Sequence, residues 1–102
     1  MYVLKRTVGT SIVIGTNSDR IDLRLVGIDW LGGCALVEIQ RVRESKGPPF
    51  EYGSGEMVLL NEDVKMHILR IARASHNGIP IEVVEFGFEA DPPIPIKLAE
   101  KA

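Results

Sequence analysis

The sequence predicts a mainly β domain with one C-terminal helix and an additional strand after it. Three observations lead there. Aliphatic and β-branched residues alternate with charged ones in short runs such as Arg20-Ile21-Asp22-Leu23-Arg24-Leu25, and this period of two is that of a strand with one buried face. Turn residues separate the runs, as at Val8-Gly9-Thr10 and Gly32-Gly33. Further on, Val64, Ile68, Ile71, Ala72 and Ser75 fall at i, i+4, i+7, i+8 and i+11, the stripe of a helix that packs one face.

Taken in order, Val3-Leu4 and Ser11 to Ile14 read as two short strands joined by a turn at Gly9, with Lys5 and Arg6 at the end of the first. Thr16-Asn17-Ser18-Asp19 is a cluster of turn residues. In the third strand Ile21, Leu23 and Leu25 face a core, while Asp22 and Arg24 face water or a ligand. After Trp30-Leu31-Gly32-Gly33 the chain resumes as a strand from Cys34 to Ile39, whose alternation slips at Arg41-Val42-Arg43. Residues 44–56, with Pro48, Pro49 and three glycines, read as a loop. Met57 to Leu60 is a short strand. Asn61 is placed to cap the helix, with Glu62 and Asp63 against the positive end of its dipole, and the helix stops near His76-Asn77-Gly78. Ile79 to Phe88 alternates again, and Pro80 confines that strand to an edge or to its first residues. Residues 79–102 are thus an extra edge strand followed by a proline-rich tail. No internal repeat is evident.

At 102 residues the chain makes one domain, and a domain of this size buries only roughly 60 to 70% of its unfolded surface. No apolar run approaches membrane-spanning length, and Met1 to Leu4 is interrupted at once by Lys5 and Arg6, which is not the charged-then-apolar order of a signal peptide. A cytoplasmic location is the expectation. The single cysteine, Cys34, allows no internal disulfide. Charge is uneven: residues 1–50 carry seven Lys/Arg against five Asp/Glu, whereas residues 82–102 carry two against five. The first half is suited to an anion.

The opening stretch Val3 to Gly15, VLKRTVGTSIVIG, has a strand ending in basic residues, then Val-Gly, then a strand finishing in Ile-Gly. It resembles, without a gap from Met1, the carbon storage regulator (CsrA) family of small RNA-binding translational regulators. Ile21 to Ile28, Leu36 to Ile39 and Val58 to Val64 are similar to later strands of that family and to the start of its helix. The resemblance implies a five-stranded, CsrA-like intertwined homodimer in which strands of one protomer pair with strands of the other. Residues 1–78 would form that domain, with residues 44–56 as a loop insertion. It implies binding to GGA-containing hairpin loops in mRNA leaders and a steric block of ribosome access, with no catalysis and no cofactor. Leu4, Lys5, Arg6, Thr7, Arg41, Arg43 and Asn61 are the RNA-binding residues it points to. Partners by the same resemblance are an mRNA leader or small regulatory RNA, a second copy of the chain and a protein antagonist, with no membrane. Thr7 and Asn61 stand where the family carries arginines. The alternative is a protein-interaction module of the same fold that has lost RNA binding.

Other chemistry finds little support. His67 and His76 lack a second cysteine or a metal-binding spacing. Gly53-Ser54-Gly55 lacks the Lys-Ser/Thr of a phosphate-binding loop. Phe50 and Tyr52 offer either stacking platforms for unpaired bases or packing surface.

Overall fold

The computed structural model describes residues 1–16, 19–42, 44–45, 47–90 and 94–99. Nine strands form: β1 (Tyr2–Thr7), β2 (Ser11–Ile14), β3 (Ile21–Asp29), β4 (Cys34–Arg41), β5 (Phe50–Gly53), β6 (Met57–Leu59), β7 (Val64–His76), β8 (Ile79–Ala90) and β9 (Ile96–Ala99). They build two sheets with antiparallel neighbours, of order β1-β8-β7-β6 and β5-β4-β3-β2-β9. The inward residues of both join one apolar cluster, which includes Ile14, Leu23, Val37, Met66, Ile68, Phe86 and Phe88. Burial of these side chains drives the sheets together, at about 1.5 to 3 kcal/mol for each large one.

The expected helix is a strand, and its periodicity has a local cause. From Val64 to Ile68 the chain alternates inward and outward, with Val64, Met66 and Ile68 buried. Between Ile68 and Arg70 the register with β8 shifts by a bulge, so Arg70 pairs with Glu85 and Ile71 with the buried Val84. One extra residue advances the apolar phase by one position. Val64, Ile68 and Ile71 therefore sit four and three apart, which imitates a helical stripe. No helix is present among the described residues, and so none long and apolar enough to cross a membrane. Asn77 and Gly78 both take positive φ, 52° and 77°, and form the two-residue turn of the β7–β8 hairpin instead of a helix end.

Three further expectations are corrected. β8 is not an edge strand but lies between β1 and β7; Pro80 is tolerated because it stands next to the hairpin tip, opposite Ser75. The loop at residues 44–56 contains β5, whose Phe50 to Gly53 pair with Val37 to Cys34. The tail contributes β9, antiparallel to β2.

The chain is also internally duplicated, which the sequence did not reveal. β2 and β3 pair as Ser11 with Arg24, Ile12 with Leu23 and Val13 with Asp22; β6 and β7 pair as Met57 with His67, Val58 with Met66 and Leu59 with Lys65. The bulge between Leu25 and Gly27 in β3 has its twin between Ile68 and Arg70 in β7. Turn hydrogen bonds repeat as well: Gly9 N donates to Leu25 O at 2.7 Å and Gly55 N to Ile68 O at 2.7 Å. Leu25 N donates to Thr10 O and Ile68 N to Glu56 O. Gly9 and Gly55 share the left-handed φ of 93° and 90° that this turn requires.

Each half gives its first strand to the other. β1 pairs with β8, while β5, its twin, pairs with β4; β9 of the second half pairs with β2 of the first. Strands of the two halves are thus interlaced within one chain.

Candidate nucleic-acid interface

β1 places successive side chains on opposite faces of its sheet. Leu4 and Arg6 point inward and are buried, whereas Lys5 is exposed. The Arg6 guanidinium donates from Nη2 to the carbonyl of Ser11 at 3.2 Å, and so joins β1 to β2 across the two sheets. Thr7 is half-buried, and its carbonyl accepts from the Thr10 hydroxyl at 2.8 Å. Of the two basic residues on this strand, Lys5 is the one exposed to solvent.

Across the outer face of this sheet, Lys5, Glu85 and Arg70 form one cross-strand row. Beside it lies a shallow groove of about 370 Å3 lined by Lys5, Arg6, Thr7, Arg70, Arg73 and Glu85 at its polar rim. Small apolar residues, Ala72, Ala74, Ile81 and Val83, make up the remaining lining. Two basic side chains, Lys5 and Arg70, flank one carboxylate, Glu85, in a chain whose net charge is −2. Charge is therefore concentrated here against the overall balance, which is the electrostatic footprint of a phosphate-binding surface. The Arg73 guanidinium lies 4.4 Å from the ring centroid of Trp30, which is 37% exposed. Trp30 Nε1 donates to Glu82, which anchors the ring. A planar cation on an indole offers the stacked surface on which unpaired bases are held.

The duplicated half has no such surface. The row equivalent to Lys5, Glu85 and Arg70 is Glu51, Leu36 and Gly27. On β5, Phe50 and Tyr52 stack on each other with centroids 6.1 Å apart, at the places that Leu4 and Arg6 hold on β1. A larger depression of about 770 Å3 is lined by Glu62, Asp63 and Glu89, with Lys65 as its one basic side chain; its charge opposes phosphate. Glu89 accepts from His67 at 3.1 Å, and this hydrogen bond holds its carboxyl below the usual value.

The expected site residues divide. Lys5, Arg6 and Thr7 line the groove, Leu4 belongs to the core, and Arg43 lies outside the described residues. Arg41, at the end of β4, donates from Nη2 to the Leu60 carbonyl at 2.7 Å. Asn61 caps a turn, not a helix: its Oδ1 accepts from the backbone N–H of Asp63 at 2.8 Å and of Val64 at 2.9 Å. Arg41 and Asn61 thus meet around Leu60 and are absent from the groove lining. Arg70 and Arg73 are the basic groove-lining residues the sequence did not yield; the alternation Val64-Lys65-Met66-His67-Ile68 was the signal that placed Arg70 on a sheet.

Cys34 is half-buried, and burial, then Glu51, Asp29 and Glu56, push its thiol up, which keeps it protonated and inert at neutral pH. Among the described residues no group of three or more His, Cys, Asp or Glu could hold a metal ion. No family model, curated protein or solved structure matches the chain.

Proposed function

We propose that the chain binds single-stranded RNA without catalysis, as a post-transcriptional regulator of the kind its N-terminal resemblance to the carbon storage regulator family implies. One observation carries the reading: Lys5 and Arg70 flank Glu85 in an outward cross-strand row beside the groove on one half of a duplicated fold, whereas the twin row is Glu51, Leu36 and Gly27. Phosphates meet Lys5 and Arg70. By that resemblance the target is a GGA-containing hairpin loop in an mRNA leader, and occupancy blocks ribosome access.

The test is titration of a GGA hairpin and of the same hairpin with the triplet scrambled, at two salt concentrations, with one RNA bound per chain expected. Each phosphate contact removed by Lys5→Ala or Arg70→Ala flattens the slope of log affinity against log salt by roughly 0.7. Binding that these substitutions leave unchanged refutes the groove, and binding that ignores the triplet refutes the target. A second reading, a protein-interaction module without RNA binding, is favoured by the open edge of β6, where Met57 and Leu59 are 49% and 61% exposed.

A further inference from the structure

We propose that the outer edge of β6 takes up, by antiparallel strand addition, an extended segment of a partner protein that has the chemistry of β9: apolar residues alternating with a basic one. The internal duplication supplies the reason. β2 and β6 are twins, yet β2 has a strand on each side, β3 and β9, whereas among the described residues β6 is paired on one side, by β7. Ser11 to Ile14 pair with Ala99 to Ile96, and Gly15 N extends the ladder to Pro95 O at 2.9 Å.

Among the described residues no segment takes the twin position. β9 follows β8 in sequence, and its counterpart is the stretch after β4, residues 42–49. That stretch reads Val-Arg-Glu-Ser-Lys-Gly-Pro-Pro, without apolar alternation, and must lead directly into β5. Its described residues join no strand.

The edge is built to accept a strand. Leu60 N donates to Val64 O and Ile68 N to Glu56 O, so the even-numbered residues of β6 bond inward to β7. Met57 and Leu59 then direct their N–H and C=O groups outward, as alternation in an antiparallel ladder requires. Unpaired edge groups of this kind template pairing with another chain. Met57 and Leu59 are 49% and 61% exposed, whereas Ser11, the twin of Met57, is 8% exposed beneath its neighbours. Transferred from β2, the register sets a basic residue opposite Leu59, as Lys97 stands opposite Val13, and large aliphatics opposite Val58 and Leu60. Exposed carboxylates at Glu56, Glu62 and Asp63 bracket the strand, and they favour a segment with a cationic residue.

The experiment adds a labelled peptide of the sequence of residues 91–102, DPPIPIKLAEKA, to the full chain. Anisotropy reads affinity and amide chemical shifts read the place of binding. Saturable binding with shifts centred on residues 57–61 is expected. Leu59→Pro removes an outward N–H without touching a β6–β7 bond, and Leu59→Lys sets a like charge opposite the peptide lysine. Each is expected to weaken binding about ten-fold, the equivalent of one edge hydrogen bond. A peptide N-methylated at the lysine and at the alanine two residues on, whose N–H groups face the edge as those of Lys97 and Ala99 face β2, tests the same ladder with the protein unaltered. Absence of binding, or shifts confined to residues 11–15 through exchange with β9, overturns the proposal. So does a dimer paired through β6 that the peptide does not disperse, since the occupant would then be a second copy.

Discussion

Lys5 and Arg6 are adjacent and both basic, yet substitution of each to alanine is expected to fail in a different assay. Arg6 is 6% exposed, with its guanidinium on the Ser11 carbonyl. A hydrogen bond from a charged donor contributes about 1.5 to 3 kcal/mol, and its removal leaves a buried carbonyl with one fewer partner. The buried stem adds packing that alanine does not replace. Arg6→Ala should therefore cost about 2 to 4 kcal/mol, a large part of the roughly 5 to 15 kcal/mol that holds a domain together. For a chain of this length that lowers the melting temperature by at least about 10 °C. Lys5 is exposed on the outer face, and Lys5→Ala should stay within about 0.5 kcal/mol of the parent. Urea unfolding measures both, and RNA titration well below the melting point of each variant completes the comparison: Lys5→Ala loses affinity, and folded Arg6→Ala retains most of it. An Arg6→Ala chain of parental stability that no longer binds RNA would refute the assignment of Arg6 to structure.

Two other perturbations probe the sheet reading. Leu69 is the extra residue between Ile68 and Arg70, so its deletion leaves Arg70 opposite Glu85 and Ile71 opposite Val84 with both apolar phases on the core face, and should cost no more than about 3 kcal/mol in urea unfolding; loss of the fold contradicts the bulge. Glu89, whose carboxyl is held low by the hydrogen bond from His67, stabilises the fold above its unfolded pKa, and that contribution is lost as pH falls through the lowered folded value. His67→Ala should thus differ from the parent at neutral pH and converge with it in acid below the ordinary glutamate range; parallel stability curves throughout contradict the linkage.

Much of the first half was legible from alternation. Ile21, Leu23 and Leu25 are buried, and Val37 lies in the core with Ile39 packed against it. The second half was not, because the bulge at Leu69 converts a period of two into spacings of four and three. Pro48-Pro49 and Pro92-Pro93 masked β5 and β9: both strands are four residues long and follow prolines, and short strands gain their stability from neighbours remote in sequence. The duplication was hidden for a related reason. Twin positions such as Leu23 and Met66, or Val37 and Phe86, keep apolar character but not identity, and the connections differ, five residues from Thr16 to Arg20 against two at Glu62-Asp63. Of the groove, Lys5 was visible as a basic residue on a strand. Arg70 and Arg73 were assigned to a helix that does not form, and Trp30 to a turn; only the topology brings them beside β1.

The central claim is that one chain supplies both interlaced halves, and isotope-filtered NMR tests it most directly. Labelled and unlabelled chains are mixed in denaturant and refolded together, and cross-strand contacts between Lys5 and Glu85 and between Glu51 and Leu36 are sorted into those within a chain and those between chains. The duplicated fold predicts that every such contact is intramolecular. Contacts between labelled and unlabelled chains at these pairs would show instead that β1 and β5 are exchanged between two copies, and would contradict the account.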